Sequence, residues 1–177
     1  MFRVWLSLSL KIFFYSFFSK ISINEVHLFI NKKLSQQSNK NFSLLFSQCR
    51  VGFLYLLKFL RTTTKKREII FCAYNLPEMI NVAQKLNYSI KFCDLDKQTG
   101  FINLKDLKKK ISNNTIAVVL TNMFNTYANS RELKKITDKF KINLIEDNAI
   151  YFDNYSGKKR KKVYAGSIGD YTIYSFN

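Results

Sequence analysis

The segment Thr115–Thr121 reads Thr-Ile-Ala-Val-Val-Leu-Thr, seven uncharged residues, most of them β-branched. A run this apolar is too short for a buried helix and fits a strand covered on both faces. Similar short runs occur at 68–73, at 89–95, at 142–145 leading into Glu146-Asp147, and at 171–176. Between them lie segments with apolar residues at helical spacing: 51–60, 76–86 with Pro77 where a first turn tolerates it, 104–111, and 130–140 with Ser130 as a cap. Strands alternating with helices predict an α/β fold of three layers, a mostly parallel sheet with helices on both faces. Ligands in such sheets sit beyond the carboxyl ends of the strands. Polar residues at strand ends are therefore the first candidates for chemistry.

Composition narrows the classes. A length of 177 residues fits one domain or a little more, and 47% apolar residues can fill a real core. The net charge of +17 points first to nucleic acid or an acidic surface. Lys far outnumbers Arg, however, and Asn, Ile and Phe are abundant, the pattern of A/T-rich codons. Arg is the better reader of phosphates and base edges. Nucleic acid is therefore not an expected partner, and a basic nucleic-acid-binding module stands as an alternative resting on charge alone. Cys49, Cys72 and Cys93 form no Cys-x-x-Cys pair, so neither a zinc site nor a disulfide framework is indicated and a reducing compartment is expected. His27 stands alone, and no metal is expected.

Residues 1–18 are apolar and aromatic, with Arg3 near the start and Lys11 interrupting the run. A signal peptide or weak anchor is one reading; a divergent N-terminus or a segment packed on a partner subunit is the other. The run is short for a bilayer span, and no small-residue cleavage site follows Phe18, so membrane association is not expected. The polar residues 31–41 read as a loop. The expected division is an apolar segment and polar loop over 1–46 and a main domain over 47–177. The basic run Lys158-Lys159-Arg160-Lys161-Lys162 reads as a solvated hairpin tip or, functionally, as a patch steering anionic substrates.

Three segments carry candidate chemistry. In Leu144-Ile145-Glu146-Asp147-Asn148-Ala149 an apolar run delivers carboxylates at a strand end. Asp147 alone reads as a turn former or cap. Gly166-Ser167-Ile168-Gly169-Asp170 is a glycine turn, followed by Tyr174-Ser175-Phe176-Asn177. Cys49-Arg50-Val51-Gly52-Phe53-Leu54 opens a predicted helix, where free N–H groups can cradle a phosphate. Their order, together with Glu68-Ile69-Ile70, Tyr74-Asn75 and Phe92-Cys93-Asp94-Leu95-Asp96 between them, resembles the DegT family of pyridoxal-phosphate-dependent sugar aminotransferases over residues 47–177.

The resemblance implies the large domain of a fold type I enzyme, with pyridoxal 5'-phosphate as cofactor. Asp147, in the family's Glu-Asp-x-Ala phrase, would keep the ring nitrogen protonated, which makes the ring an electron sink. Ser175 of the Ser-Phe pair would bind the cofactor phosphate. Arg50 and Val51 stand where Thr and a small residue are common; Arg50 either clamps the phosphate or marks an ordinary helix start. The Gly-x-x-Gly-Asp turn ending at Asp170 is read equally as functional or structural. Leu76 stands where an aromatic residue commonly covers the ring, Ile150 where Gln or His is common, and Asn125 where Gly is usual. The family's lysine that holds the cofactor would fall past Asn177, so no catalytic residue is assigned. The chain is expected to be a fragment that transfers no amino group by itself. The activity implied for the complete protein is amino transfer from glutamate to a nucleotide-linked keto-sugar, serving cell-surface polysaccharide synthesis. A cytoplasmic homodimer is implied with it. The alternative, favoured by Leu76 and Ile150, is a non-catalytic truncated relative.

Overall fold

A computed structural model describes residues 22–122, 130–150 and 165–175. The apolar segment 1–18, Asn125 and the basic run 158–162 lie outside the described residues.

The first element corrects an expectation. Residues 31–38 are not loop but the second half of helix α1, Ile23–Ser38. Its start is a capping box: the Glu25 N–H donates to Ser22 Oγ (3.2 Å), and the Ser22 N–H donates to Glu25 Oε2 (2.8 Å). Asn39, at φ 53°, ends the helix in a left-handed cap. Lys, Gln and Ser are tolerated here because the helix buries only a narrow stripe that includes Leu34 and Ser38.

Helix α2, Cys49–Thr63, starts two residues earlier than the spacing predicts and buries Phe53, Leu57 and Leu60 at intervals of one turn. There follow β1 (Glu68–Cys72), α3 (Pro77–Lys85), β2 (Ser89–Cys93), α4 (Leu104–Lys110), β3 (Thr115–Thr121), α5 (Ser130–Lys139), β4 (Asn143–Asn148) and β5 (Tyr171–Tyr174). The five strands form one sheet in the order β2-β1-β3-β4-β5, and every pairing is parallel. The expected three-layer architecture is thus the observed one. Helices α2 and α3 cover one face with Phe53, Leu57, Leu60, Met79 and Ala83 packed on Ile69, Phe71, Ala117, Val119 and Ile145. Helices α4 and α5 cover the other with Leu107, Leu133 and Ile136 on Ile70, Val118, Leu120 and Leu144.

Cys72 and Cys93 are register partners on β1 and β2, and both are free thiols. Burial pushes them up to about 11 and about 12, so at neutral pH they pack as protonated apolar groups.

At the amino ends of β1 and β3, Glu68 is nearly buried and fully engaged. Its Oε1 accepts from Thr115 Oγ1 (2.5 Å) and Ser112 Oγ (2.8 Å), and its Oε2 pairs with Lys91 Nζ at 3.0 Å. Burial pushes its carboxyl up, but these hydrogen bonds and the lysine outweigh burial and hold it below its ordinary value. A depressed carboxyl contributes stability above its unfolded pKa and loses it as pH falls through the folded one. Glu68→Gln is therefore expected to flatten the acid limb of a melting-temperature profile below about pH 4.5, with little change in the profile's shape near neutrality. An unchanged acid limb would show that Glu68 contributes nothing to acid sensitivity.

Candidate functional site

Parallel pairing puts all five carboxyl ends on one edge. The chain leaves β1 toward β2 but leaves β3 toward β4, so the strand order reverses between β1 and β3, the crevice where such sheets bind ligands. Helix α2 runs into β1 through four residues, so its N-terminus returns to this same carboxyl edge.

Side-chain alternation divides the edge into two faces. Ile145 packs with the α2–α3 layer, so Asp147 faces that layer and Glu146 and Asn148 face the opposite one. Register places Thr121 opposite Asp147 on β3 and Ile173 opposite it on β5. Ser175 follows the last residue of β5; the parallel pairing now fixes the direction that the sequence left open, and Ser175 stands at the carboxyl edge.

Asp147 is 1% exposed. Its Oδ1 accepts one hydrogen bond, from the Ala149 N–H at 3.0 Å, and among the described residues its carboxylate has no cationic partner. Burial raises its pKa and the Ala149 hydrogen bond only partly offsets this. A buried carboxylate that accepts a single hydrogen bond among the described residues is costly unless something protonated meets it.

Cys49, the first residue of α2, is the neighbour that sequence reasoning missed. Burial first, then the Asp147 charge, push its thiol up to about 11, so the start of α2 and the end of β4 share one electrostatic environment. Gln48, the N-cap, makes no side-chain cap hydrogen bond, and the Val51 and Gly52 N–H groups turn back to the Gln48 carbonyl. Among the described residues the Cys49 and Arg50 N–H groups meet no acceptor, and these are the ones that can face an anion. Val51 is half-buried there, while Arg50 is exposed and its Nε donates to Gln48 Oε1 at 2.7 Å. Leu76, 42% exposed, is the N-cap of α3 in the loop after β1. Ile150 is exposed and, as an aliphatic side chain, offers no hydrogen-bond donor. Residues of the right kind for a protonated heterocycle (Asp147) and an anion (the α2 start, with Ser175 on the same edge) thus occur on one edge.

The opposite face is structural. Glu146 is fully buried and accepts from the backbone N–H groups of Gly166 (3.1 Å), Ile168 (2.9 Å) and Gly169. A Cβ at Gly166, at φ +85°, would come within 2.3 Å of Thr172 Oγ1 and Tyr174 Oη. Asp170 accepts from the Leu144 N–H (2.8 Å) and pairs with Lys134 (2.8 Å), tying the turn to β4 and α5. For the Gly-x-x-Gly-Asp turn these contacts favour the structural reading. Two consecutive acids on a strand must face opposite layers, and that alternation was the available signal for Glu146.

A model of the DegT/DnrJ/EryC1/StrS aminotransferase family matches residues 24–177. The chain belongs to that family. The match includes α1, earlier than the resemblance beginning at residue 47. Among curated relatives, the chain is 29% identical over 136 residues to an uncharacterized protein of Methanocaldococcus jannaschii, covering 76% of this chain and 34% of that protein. It is 24% identical over 153 residues to GDP-perosamine synthase of Escherichia coli O157:H7, covering 86% of this chain and 40% of that one. The chain therefore spans between about a third and two fifths of these relatives. Among solved structures, Helicobacter pylori PseC, an aminotransferase involved in the biosynthesis of pseudoaminic acid, superposes with a TM-score of 0.70 at 21% identity, over 85% of this chain and 40% of that one. E. coli GDP-4-keto-6-deoxy-D-mannose-3-dehydratase with bound hydrated PLP superposes with a TM-score of 0.71 at 23% identity, over 89% and 42%. These likenesses show the fold. Among the described residues no helix is long and apolar enough to cross a membrane.

Proposed function

We propose that residues 47–177 are the cofactor-binding large domain of a pyridoxal-phosphate-dependent aminotransferase that acts on a nucleotide-linked keto-sugar for cell-surface polysaccharide synthesis. The observation that carries this reading is Asp147: a buried carboxylate that accepts one hydrogen bond and has no cationic partner among the described residues, at the carboxyl end of an interior strand, in the electrostatic reach of the start of α2. When bound, the cofactor supplies an electron sink that stabilises negative charge on the substrate carbon. Asp147 would hold the proton on the ring nitrogen, and that protonated nitrogen would give the buried carboxylate a charged partner. The first N–H groups of α2, together with Ser175, would hold the phosphate, and Arg50 adds positive charge nearby. Leu76 would cover the ring by apolar contact alone, which gives contact area without aromatic stacking. Glutamate as amino donor, the keto-sugar substrate, a cytoplasmic location and a homodimer belong to the complete protein under this same reading.

Ile150 favours a second reading, a non-catalytic relative that retains cofactor binding, since an aliphatic side chain cannot donate to the cofactor's phenolic oxygen. The test of binding common to both is a pyridoxal phosphate titration of the 177-residue chain followed by the induced circular dichroism of the cofactor band. Saturable binding that free phosphate competes for is expected. A signal that grows linearly and ignores phosphate would remove both readings.

A further inference from the structure

Asn75 joins two pieces of the edge that the pairing of strands does not join. It lies in the loop between β1 and α3, and its Nδ2 donates to Thr121 Oγ1 at 2.8 Å across the β1–β3 crevice. Its Oδ1 accepts from the Leu76 N–H at 2.7 Å. Thr121 is in turn the register partner of Asp147. A continuous path therefore runs from the Leu76 backbone through the Asn75 amide and the Thr121 hydroxyl to the strand pair that carries Asp147. Both atoms of the Asn75 amide group are used, one on each side of the crevice. Neither composition nor motif pointed to this link, because it joins residues 46 positions apart.

We propose that Asn75 is a positioning residue: it locks the loop bearing Leu76 to the end of β3, and so sets the distance between the residue that covers the cofactor ring and the carboxylate that meets its nitrogen. This rests on the cofactor reading above, but the lock itself is made by the chain's own residues. Without it, α3 keeps its packing through Met79 and Ala83, and the loop keeps the bonds from the Ala73 N–H to the Cys93 carbonyl and from the Met79 N–H to the Leu76 carbonyl, but it loses its tie across the crevice to β3. The effect expected is on loop order and on site geometry, with the core left intact.

Amide hydrogen exchange on the cofactor-free 177-residue chain decides the lock. Thr121→Val removes the hydroxyl acceptor without touching the loop, and it is expected to speed exchange at the Leu76 N–H about fivefold to tenfold, the worth of one hydrogen bond. Amides of β1 and β3 should hold their rates, and Thr121→Ser, which keeps the hydroxyl, should restore the wild-type rate at Leu76. Pyridoxal phosphate titrations then read the consequence: Asn75→Ala and Thr121→Val each weaken binding by a similar factor, and the double variant is no weaker than either single one. An unchanged Leu76 exchange rate in Thr121→Val, or fully additive losses in the double variant, would overturn the proposal. Failure of the wild-type chain to bind the cofactor would instead remove the function proposed above, while the exchange comparison would still decide whether Asn75 locks the loop.

Discussion

Asp147→Asn is expected to make the cofactor-free chain more stable while weakening its hold on pyridoxal phosphate. The substitution keeps the shape and the acceptor that meets the Ala149 N–H, and it removes a buried charge that has no cationic partner among the described residues. Relief of that desolvation is worth about 1–2 kcal/mol at neutral pH. The sign follows from the titration. Burial raises the folded carboxyl above its ordinary 3.8. Between that value and the raised one the folded state holds more protons than the unfolded, so stability falls as pH rises through the window. The asparagine variant should lose this slope and melt higher at pH 7 to 8. Cofactor affinity should move the other way, down by on the order of a hundredfold, because a neutral amide cannot balance a protonated ring nitrogen. Paired thermal melts and titrations check both halves. A variant that is less stable and binds equally well would show that Asp147 is an ordinary structural acid.

Glu146→Ala should do the opposite and damage the fold. The Glu146 carboxylate accepts from three backbone N–H groups of the 166–169 turn in a fully buried position. Its truncation strands those donors and leaves a hole, a cost of about 3–5 kcal/mol. For a chain of this length that lowers the melting temperature by on the order of 10 °C. The turn directly precedes β5, and Tyr174 Oη reaches back to the Ala165 carbonyl at 2.6 Å, so loosening the turn should also free the segment that presents Ser175. Calorimetry reads the first effect. Limited proteolysis between Ala165 and Tyr171 reads the second. A melting temperature within about 2 °C of wild type would mean the turn holds itself without Glu146.

The adjacent acids face opposite layers of the sheet, and that contrast shows where the sequence was legible. Short uncharged runs such as Thr115–Thr121 announced buried strands, and their alternation with helical spacing announced the three layers. The Glu-Asp-x-Ala phrase marked the carboxyl end of β4. The part of α1 from residue 31 was misread because its Lys, Ser, Gln and Asn hide a stripe with few buried residues, although Ser22-x-x-Glu25 carried a capping signal. Register was beyond reach: that Thr121 stands opposite Asp147, that Cys49 lies in its field, and that Asn75 spans the crevice all depend on pairing between distant segments. Hydrophobic period assigns a residue to a face but not to a neighbour.

The central claim is that Asp147 holds the proton on the cofactor's ring nitrogen, and nitrogen NMR of the chain loaded with ring-labelled pyridoxal phosphate tests it most directly. At pH 8 the wild-type complex should show the chemical shift of a protonated ring nitrogen, and the Asp147→Asn complex, prepared at saturating cofactor, that of a neutral one. A neutral nitrogen in the wild-type complex, or a protonated one that survives the substitution, would contradict the assignment.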